Sequence, residues 1–265
     1  MSTPDGGVFS LDWFDPDGTV DECTLDEEGN GNCPSAVHQP EECTRPVAVF
    51  FPGLTGCSKA DYLKSLVPLA HGLQYRVVVA NYRGMGGTRL LTPRFYCGTT
   101  HEDVHEALVH IRKRCPAASS VVAVGTSLGG ILLGRYLIES GPQSLVDAAF
   151  LVSVCYDYNQ VATDMETGYL NAKMNYYLTQ NLISTVMVHR EWFEGGTLYD
   201  LEAVKRTTTM REFDTTFLIK MFGYKSTEEY YTASGKKICL KKKKVLKLIN
   251  FDLSLYSSHR QVSPN

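Results

Sequence analysis

The pentapeptide Gly125-Thr126-Ser127-Leu128-Gly129 has the spacing G-x-S-x-G. In this arrangement a serine sits on a sharp strand-to-helix turn, and small residues on both sides let the two backbones meet closely. The chemistry such a turn serves is acyl transfer, with the serine hydroxyl attacking an ester or amide carbonyl. That reaction also needs N–H groups aimed at the oxyanion of the tetrahedral intermediate. One comes from the residue after the serine, here Leu128. The other comes from a loop after an earlier strand, and Phe51-Pro52-Gly53-Leu54-Thr55-Gly56 is such a loop, with Leu54 the donor.

A serine also needs a base, and the base needs an orienting acid. Histidines stand at 38, 71, 101, 105, 110, 189 and 259. Only His189 and His259 follow Ser127, and His189 falls within a helical stretch, which leaves His259 as the candidate base. Asp157, just past a strand, is the candidate acid, and Asp252 lies seven residues before His259. His101, His105 and His110 share one helical stretch without a third ligand in metal spacing, so they read as surface or packing residues. The glycine-rich run 84–87 lacks the phosphate-binding patterns and reads as a connecting loop. Cys23, Cys33, Cys43, Cys57, Cys97, Cys115, Cys155 and Cys239 form no CxxC pairs and read as thiols.

The elements that must hold these residues alternate along the chain. Val8 to Phe14 alternates apolar and polar residues and suits a short edge strand. Residues 15–46 carry no apolar period and read as an acidic loop insert. Val47 to Phe51, Tyr75 to Ala80, Val121 to Val124 and Ala148 to Val154 read as buried strands. Between them, Ser58 to Leu73 reads as a helix capped by Ser58, with Tyr62, Leu66, Leu69 and Leu73 as its apolar side. Thr100 to Cys115 is a helix with Val104, Leu108 and Ile111 inward, and Gly129 to Ser140 is another. This alternation predicts an α/β fold: a mostly parallel sheet with helices on both faces and chemistry at the carboxyl ends of the strands. Residues 156–233 turn helical (Leu170 to Met187, Met210 to Met221) and hold nine of the fifteen tyrosines, the composition of a cap over a pocket.

The chain's 265 residues, 43% of them hydrophobic and 21% charged, suit a folded protein with a sizeable core. The net charge of −3 offers no general attraction to nucleic acid. It averages two unlike ends: eleven carboxylates against one base in residues 1–45, and seven lysines without an acid in residues 236–247. The lysine segment reads as a solvated tail, with an amphipathic helix on anionic lipid as its alternative. The charge-free stretch from Ser119 to Gly134 is broken by Gly, Thr and Ser and does not suit a bilayer span, and the N-terminus lacks a signal-peptide pattern. The expected location is therefore cytoplasmic or membrane-associated.

The segments VAVFFPGLTGCSKADY, NYRGMGGTRLLTPRFYCGTTHEDV, AVGTSLGGILLGRYL, REFDTTFLIKMFGY and EEYYTAS occur in that order. Together they resemble the α/β-hydrolase family of abhydrolase domain-containing phospholipases and their yeast and plant esterase relatives. The resemblance covers residues 7–234. It implies an α/β-hydrolase core with a helical cap at about 156–233 and hydrolysis of acyl esters of phospholipids or acylglycerols, without metal or cofactor. It further implies Ser127 as nucleophile, and Leu54 and Leu128 as the oxyanion hole. In that family the acid and base lie on loops after the final strands. Residues 235–265 match none of its motifs, so the last strands, Asp and His are expected to be missing from this divergent lysine-rich tail. The alternative is a non-catalytic lipid- or membrane-binding homologue.

Overall fold

A computed structural model describes residues 1–14, 20–21, 44–155 and 157–235. Six strands form one sheet: β1 (Ser10–Phe14), β2 (Val20–Asp21), β3 (Val47–Phe51), β4 (Arg76–Asn81), β5 (Val121–Thr126) and β6 (Ala148–Val152), in the order β2-β1-β4-β3-β5-β6. The run β4-β3-β5-β6 is parallel, while β1 is antiparallel to both β4 and β2. Val49 in β3 lies opposite Val78 of β4 on one side and Ala123 of β5 on the other. All five β3 residues are buried, as a continuous apolar run in a central strand requires.

Helices α1 (Asp61–Gly72), α2 (Glu102–Arg114) and α3 (Leu128–Ser140) connect the parallel strands. The expected inner side of α2 is observed, with Val104, Leu108 and Ile111 buried and Ala107 beside them. In α1 the expectation fails. Its buried stripe is Leu63, Val67 and Ala70, while Leu69 and Leu73 are exposed. Both stripes have the 3.6-residue period, and the choice between them was made by the sheet, where Leu63 and Val67 meet Ala48, Phe50, Val77 and Val79. Nor does Ser58 cap this helix. Ala60 holds that position, and the Ser58 N–H donates instead to Asn81 Oδ1 at 2.7 Å.

The first strand is not an edge, because β2 pairs with it through Trp13↔Asp21 and Phe14↔Val20. That two-residue strand falls inside the segment expected to be loop, and residues 15–19 and 22–43 lie outside the described residues. Trp13 is fully buried under the guanidinium groups of Arg76 and Arg114. Beyond β6 the described chain is helical: α4 (Tyr158–Met165), α5 (Tyr169–Val188), α6 (Leu201–Lys205), α7 (Met210–Phe213), a π-helical turn (Asp214–Leu218), α8 (Ile219–Phe222) and α9 (Thr227–Ser234). An aromatic cluster built on Phe193, Phe213 and Phe217 packs α5, α6 and α7 together. Among the described residues, no helix is long and apolar enough to cross a membrane.

Helix α3 lies close against the sheet because Gly129 has no side chain. A Cβ there would collide with the carbonyl oxygens of Phe51 and Pro52, both backbone atoms at the end of β3. Neither can move without displacing a central strand. Gly129→Ala is therefore expected to cost about 3 kcal/mol, the upper end of the usual overpacking range, measured as a fall in urea unfolding midpoint at unchanged m-value.

Candidate functional site

Three of the sequence-predicted residues meet where β5 passes into α3. Ser127 stands between them at φ 52°, ψ −117°. For a residue with a Cβ this conformation costs about 1–3 kcal/mol and must be imposed by its surroundings. The imposing contacts are visible. The Ser127 N–H donates to the Val152 carbonyl at 2.8 Å, tying the turn to β6, and its own carbonyl accepts from Ile131 N–H at 3.1 Å, starting the helix. A Cβ on Gly125 would lie 2.6 Å from the Gly129 oxygen, and one on Gly130 would lie 2.9 Å from the Gly125 oxygen. The glycines therefore permit the crossing of strand and helix that forces the serine into its strained geometry.

The loop after β3 reaches the same place: a Cβ built on Gly53 would stand 3.5 Å from the Ser127 Cβ. Most donors of this loop are already engaged. The Gly53 N–H donates to Tyr62 Oη at 3.1 Å, the Thr55 N–H to Tyr96 Oη at 3.0 Å, and the Gly56 N–H to the Gly53 carbonyl at 2.9 Å. Tyr82 Oη closes the loop by donating to the Pro52 carbonyl at 2.9 Å. Among the described residues, the Leu54 N–H has no such acceptor. The same holds for Leu128, whose N–H opens helix α3 and carries the partial positive charge of a helix start. The Leu54 and Leu128 N–H groups are the ones the motif spacing singles out.

Ser127, Leu54 and Leu128 line a cavity of about 460 Å³. Much of its remaining wall comes from the helices after β6, including Tyr158, Leu178, Leu182, Met210 and Phe217, and Tyr62, Phe95, Tyr96 and Ile131 add to it, so the space is largely apolar. Of the two weaker sequence candidates, the one that is described does not line this wall. Asp157 is the N-cap of α4, its Oδ1 accepting from the Gln160 N–H at 3.0 Å. His259 lies outside the described residues. His189 is buried against Phe95 and donates through Nε2 to the Gly84 carbonyl at 3.0 Å, holding the glycine-rich loop rather than the serine. Among the described residues, no histidine lines the cavity.

Sequence reasoning missed Asp214. It is 6% exposed, sits on the π-helical turn and lines the cavity. Burial pushes its pKa up to about 7, opposed by the hydrogen bond from Tyr231 Oη at 2.8 Å and by the charge of Arg211. The signal was present: Asp214 shares a helical face with Phe217 and Leu218, a carboxylate where the period calls for an apolar residue. Arg211 and Glu166, the other charged cavity residues, were also passed over; they pair at 2.8 Å. By contrast, Asp5 outside the cavity is held well below the ordinary carboxylate range by the buried Arg83 guanidinium at 2.7 Å.

A profile of the α/β hydrolase fold matches residues 46–185. The human protein named phospholipase ABHD3 is 37% identical over 232 residues, which are 88% of this chain and 52% of that protein. Monoacylglycerol lipase of Saccharomyces cerevisiae is 29% identical over 71% of this chain and 42% of its own length. The chain thus spans about half the length of the curated relatives it matches. Among solved structures, the Pyrococcus furiosus esterase Pf2001 aligns with a TM-score of 0.45 at 13% identity, covering 71% of this chain and 64% of that one.

The raised pKa of Asp214 makes stability depend on pH. Between the ordinary carboxylate value and about 7, the folded chain binds a proton that the unfolded chain has released. Stability from this group is present at the acid end and is lost as pH rises through that window, by at most about 4 kcal/mol. Asp214→Asn keeps an acceptor for Tyr231 and does not titrate. Urea unfolding from about pH 4 to pH 8 should show the parent losing stability relative to the variant, with the gap levelling above about pH 7.

Proposed function

Because the chain belongs to the α/β-hydrolase fold family, we propose that it is a serine hydrolase cleaving acyl esters of phospholipids or acylglycerols through an acyl-enzyme intermediate on Ser127. The observation that carries this reading is the strained serine at φ 52°, opening on a largely apolar cavity beside two N–H groups that have no acceptor among the described residues. An acyl chain fits such a space, because it removes apolar wall from water at roughly 25 cal/mol per Å². The ester carbonyl would then lie between Ser127 Oγ and the N–H groups of Leu54 and Leu128. Attack forms the Oγ–C bond, and the developing oxyanion accepts from both donors. Collapse expels the alcohol of the glycerol backbone with a proton, and water cleaves the acyl-serine bond to give the fatty acid. The helices from 158 to 234 serve as the cap that shields this space, and the lipids named for the relatives supply the substrate class.

Proton transfer from Ser127 Oγ requires a base. In this reading His259 is the sequence's candidate, and Asp157, already engaged at the α4 cap, is the weaker candidate for the acid. The lack of a histidine in the described cavity wall favours a second reading, a non-catalytic homologue that holds lipid in the same cavity or contacts a membrane through the lysine-rich segment. A fluorophosphonate probe separates the two, since it captures only an activated serine. Under the hydrolase reading the chain is labelled, and Ser127→Ala abolishes the label while keeping its thermal unfolding midpoint. Absence of Ser127-dependent labelling, together with vesicle association that survives Ser127→Ala and weakens with salt, would establish the second.

A further inference from the structure

Within an otherwise apolar cavity wall, one guanidinium is prepared to take an anion. Arg211, in the first turn of α7, lines the cavity together with Glu166, the residue closing α4. The pair is about one-third exposed, at 30% for Arg211 and 35% for Glu166, which sets it apart from the fully interior Asp214. Glu166 Oε1 accepts from Arg211 Nε at 2.8 Å. That contact consumes one of the five guanidinium N–H donors. The plane is further held over the Tyr231 ring, with Cζ 5.7 Å from its centroid. Among the described residues, no acceptor takes the Nη groups. Their outer edge is the fork that pairs bidentately with phosphate or carboxylate oxygens, and it is fixed in orientation by Glu166 and Tyr231.

From this geometry we infer that Arg211 is the headgroup-binding residue of the cavity, taking the phosphodiester of a phospholipid whose acyl chain occupies the apolar space. The inference rests on the lipid reading of the cavity and names the substrate class more narrowly: a phosphodiester lipid is preferred over a neutral glyceride. Glu166 has a second part in it. A zwitterionic headgroup presents a cation next to its phosphate, and the carboxylate beside Arg211 meets that cation, so the two charges of the pair match the two charges of the ligand. The Tyr231 ring beneath Arg211 supplies an apolar floor for the same group. A carboxylate, such as that of a released fatty acid, offers the same oxygen chemistry to the fork but leaves Glu166 facing an anion.

The test measures binding without turnover, in the Ser127→Ala chain by calorimetry, with three twelve-carbon amphiphiles below their micelle-forming concentrations. These are dodecylphosphocholine, monododecanoylglycerol and dodecanoate. The phosphocholine should bind about tenfold tighter than the neutral glyceride, the scale of one good charge-assisted bidentate contact, and tighter than dodecanoate. Arg211→Met should remove that preference. Arg211→Lys keeps the charge but loses the fork, so it should reduce the preference, and it carries the test if the Met variant fails to fold. A preference unchanged in both variants would overturn the assignment and leave the Arg211–Glu166 pair as a latch between helices. Equal or tighter binding of dodecanoate would overturn it in favour of product carboxylate. Loss of binding by all three ligands in the Ser127→Ala chain would strike the lipid reading of the cavity itself, whereas failed fluorophosphonate labelling with the preference intact would strike only the catalytic reading.

Discussion

The site depends on the close crossing of β5 and α3 under the end of β3. Ser127 is held at a backbone conformation that a residue with a side chain seldom adopts, and nothing local to the serine favours it. The cost is offset by the hydrogen bond to Val152, by the start of α3, and by the contact of Gly125, Gly129 and Gly130 with neighbouring backbone. Each of these ties the serine to a different strand: Val152 belongs to β6, Gly125 to β5, and the oxygen facing Gly129 to β3. A change in sheet register or helix tilt would release the turn. Three of the parallel strands therefore act as a clamp on one dihedral angle, and the hydroxyl is displayed because the clamp cannot relax.

That dependence explains how much could be read from the sequence. The glycine spacing, the β-branched runs before and after it, and the Pro-Gly end of β3 are local signals, and each corresponds to an observed element. Ser127, Leu54 and Leu128 were brought together by the same signals, because a strand-turn-helix determines its own geometry. The errors arose where a non-local partner decided the outcome. Helix α1 has apolar residues on two stripes, and only the position of β3 and β4 selects Leu63 and Val67 over Leu69 and Leu73. Likewise Val8 to Phe14 carries the pattern of a half-buried strand, and its second neighbour is a two-residue strand too short to show a period of its own.

The helices after β6 were readable as helices but not as a chemical environment. Their aromatic content pointed to a pocket, and Phe193, Phe213 and Phe217 do pack as a separate core. What the pattern hid was the π-helical turn at Asp214–Leu218. A continuous α-helix from Met210 to Met221 would place its residues at even angular steps. Asp214, Phe217 and Leu218 form the buried face of this turn. There the carboxyl accepts from Tyr231 Oη, and only the three-dimensional neighbours determine the direction in which its proton affinity moves.

The three charged groups of the cavity wall obey one electrostatic rule. An ionised side chain in an apolar space is costly unless it has a partner or a path to water. Asp214 has neither a cation in hydrogen-bonding contact nor solvent, so burial raises its proton affinity until the neutral acid competes near neutral pH. Arg211 and Glu166 have each other and partial access to water. The wall is thus graded, from a carboxyl of raised proton affinity in the interior to a paired cation and anion where solvent reaches. An amphiphile has the same gradient along its length. A chain of methylenes next to an ionised Asp214 would be disfavoured, and a charged headgroup in the interior would lose hydration without compensation. Under the proposed lipid reading, the distribution of charge in the cavity wall would select both the kind of ligand and the way round it enters.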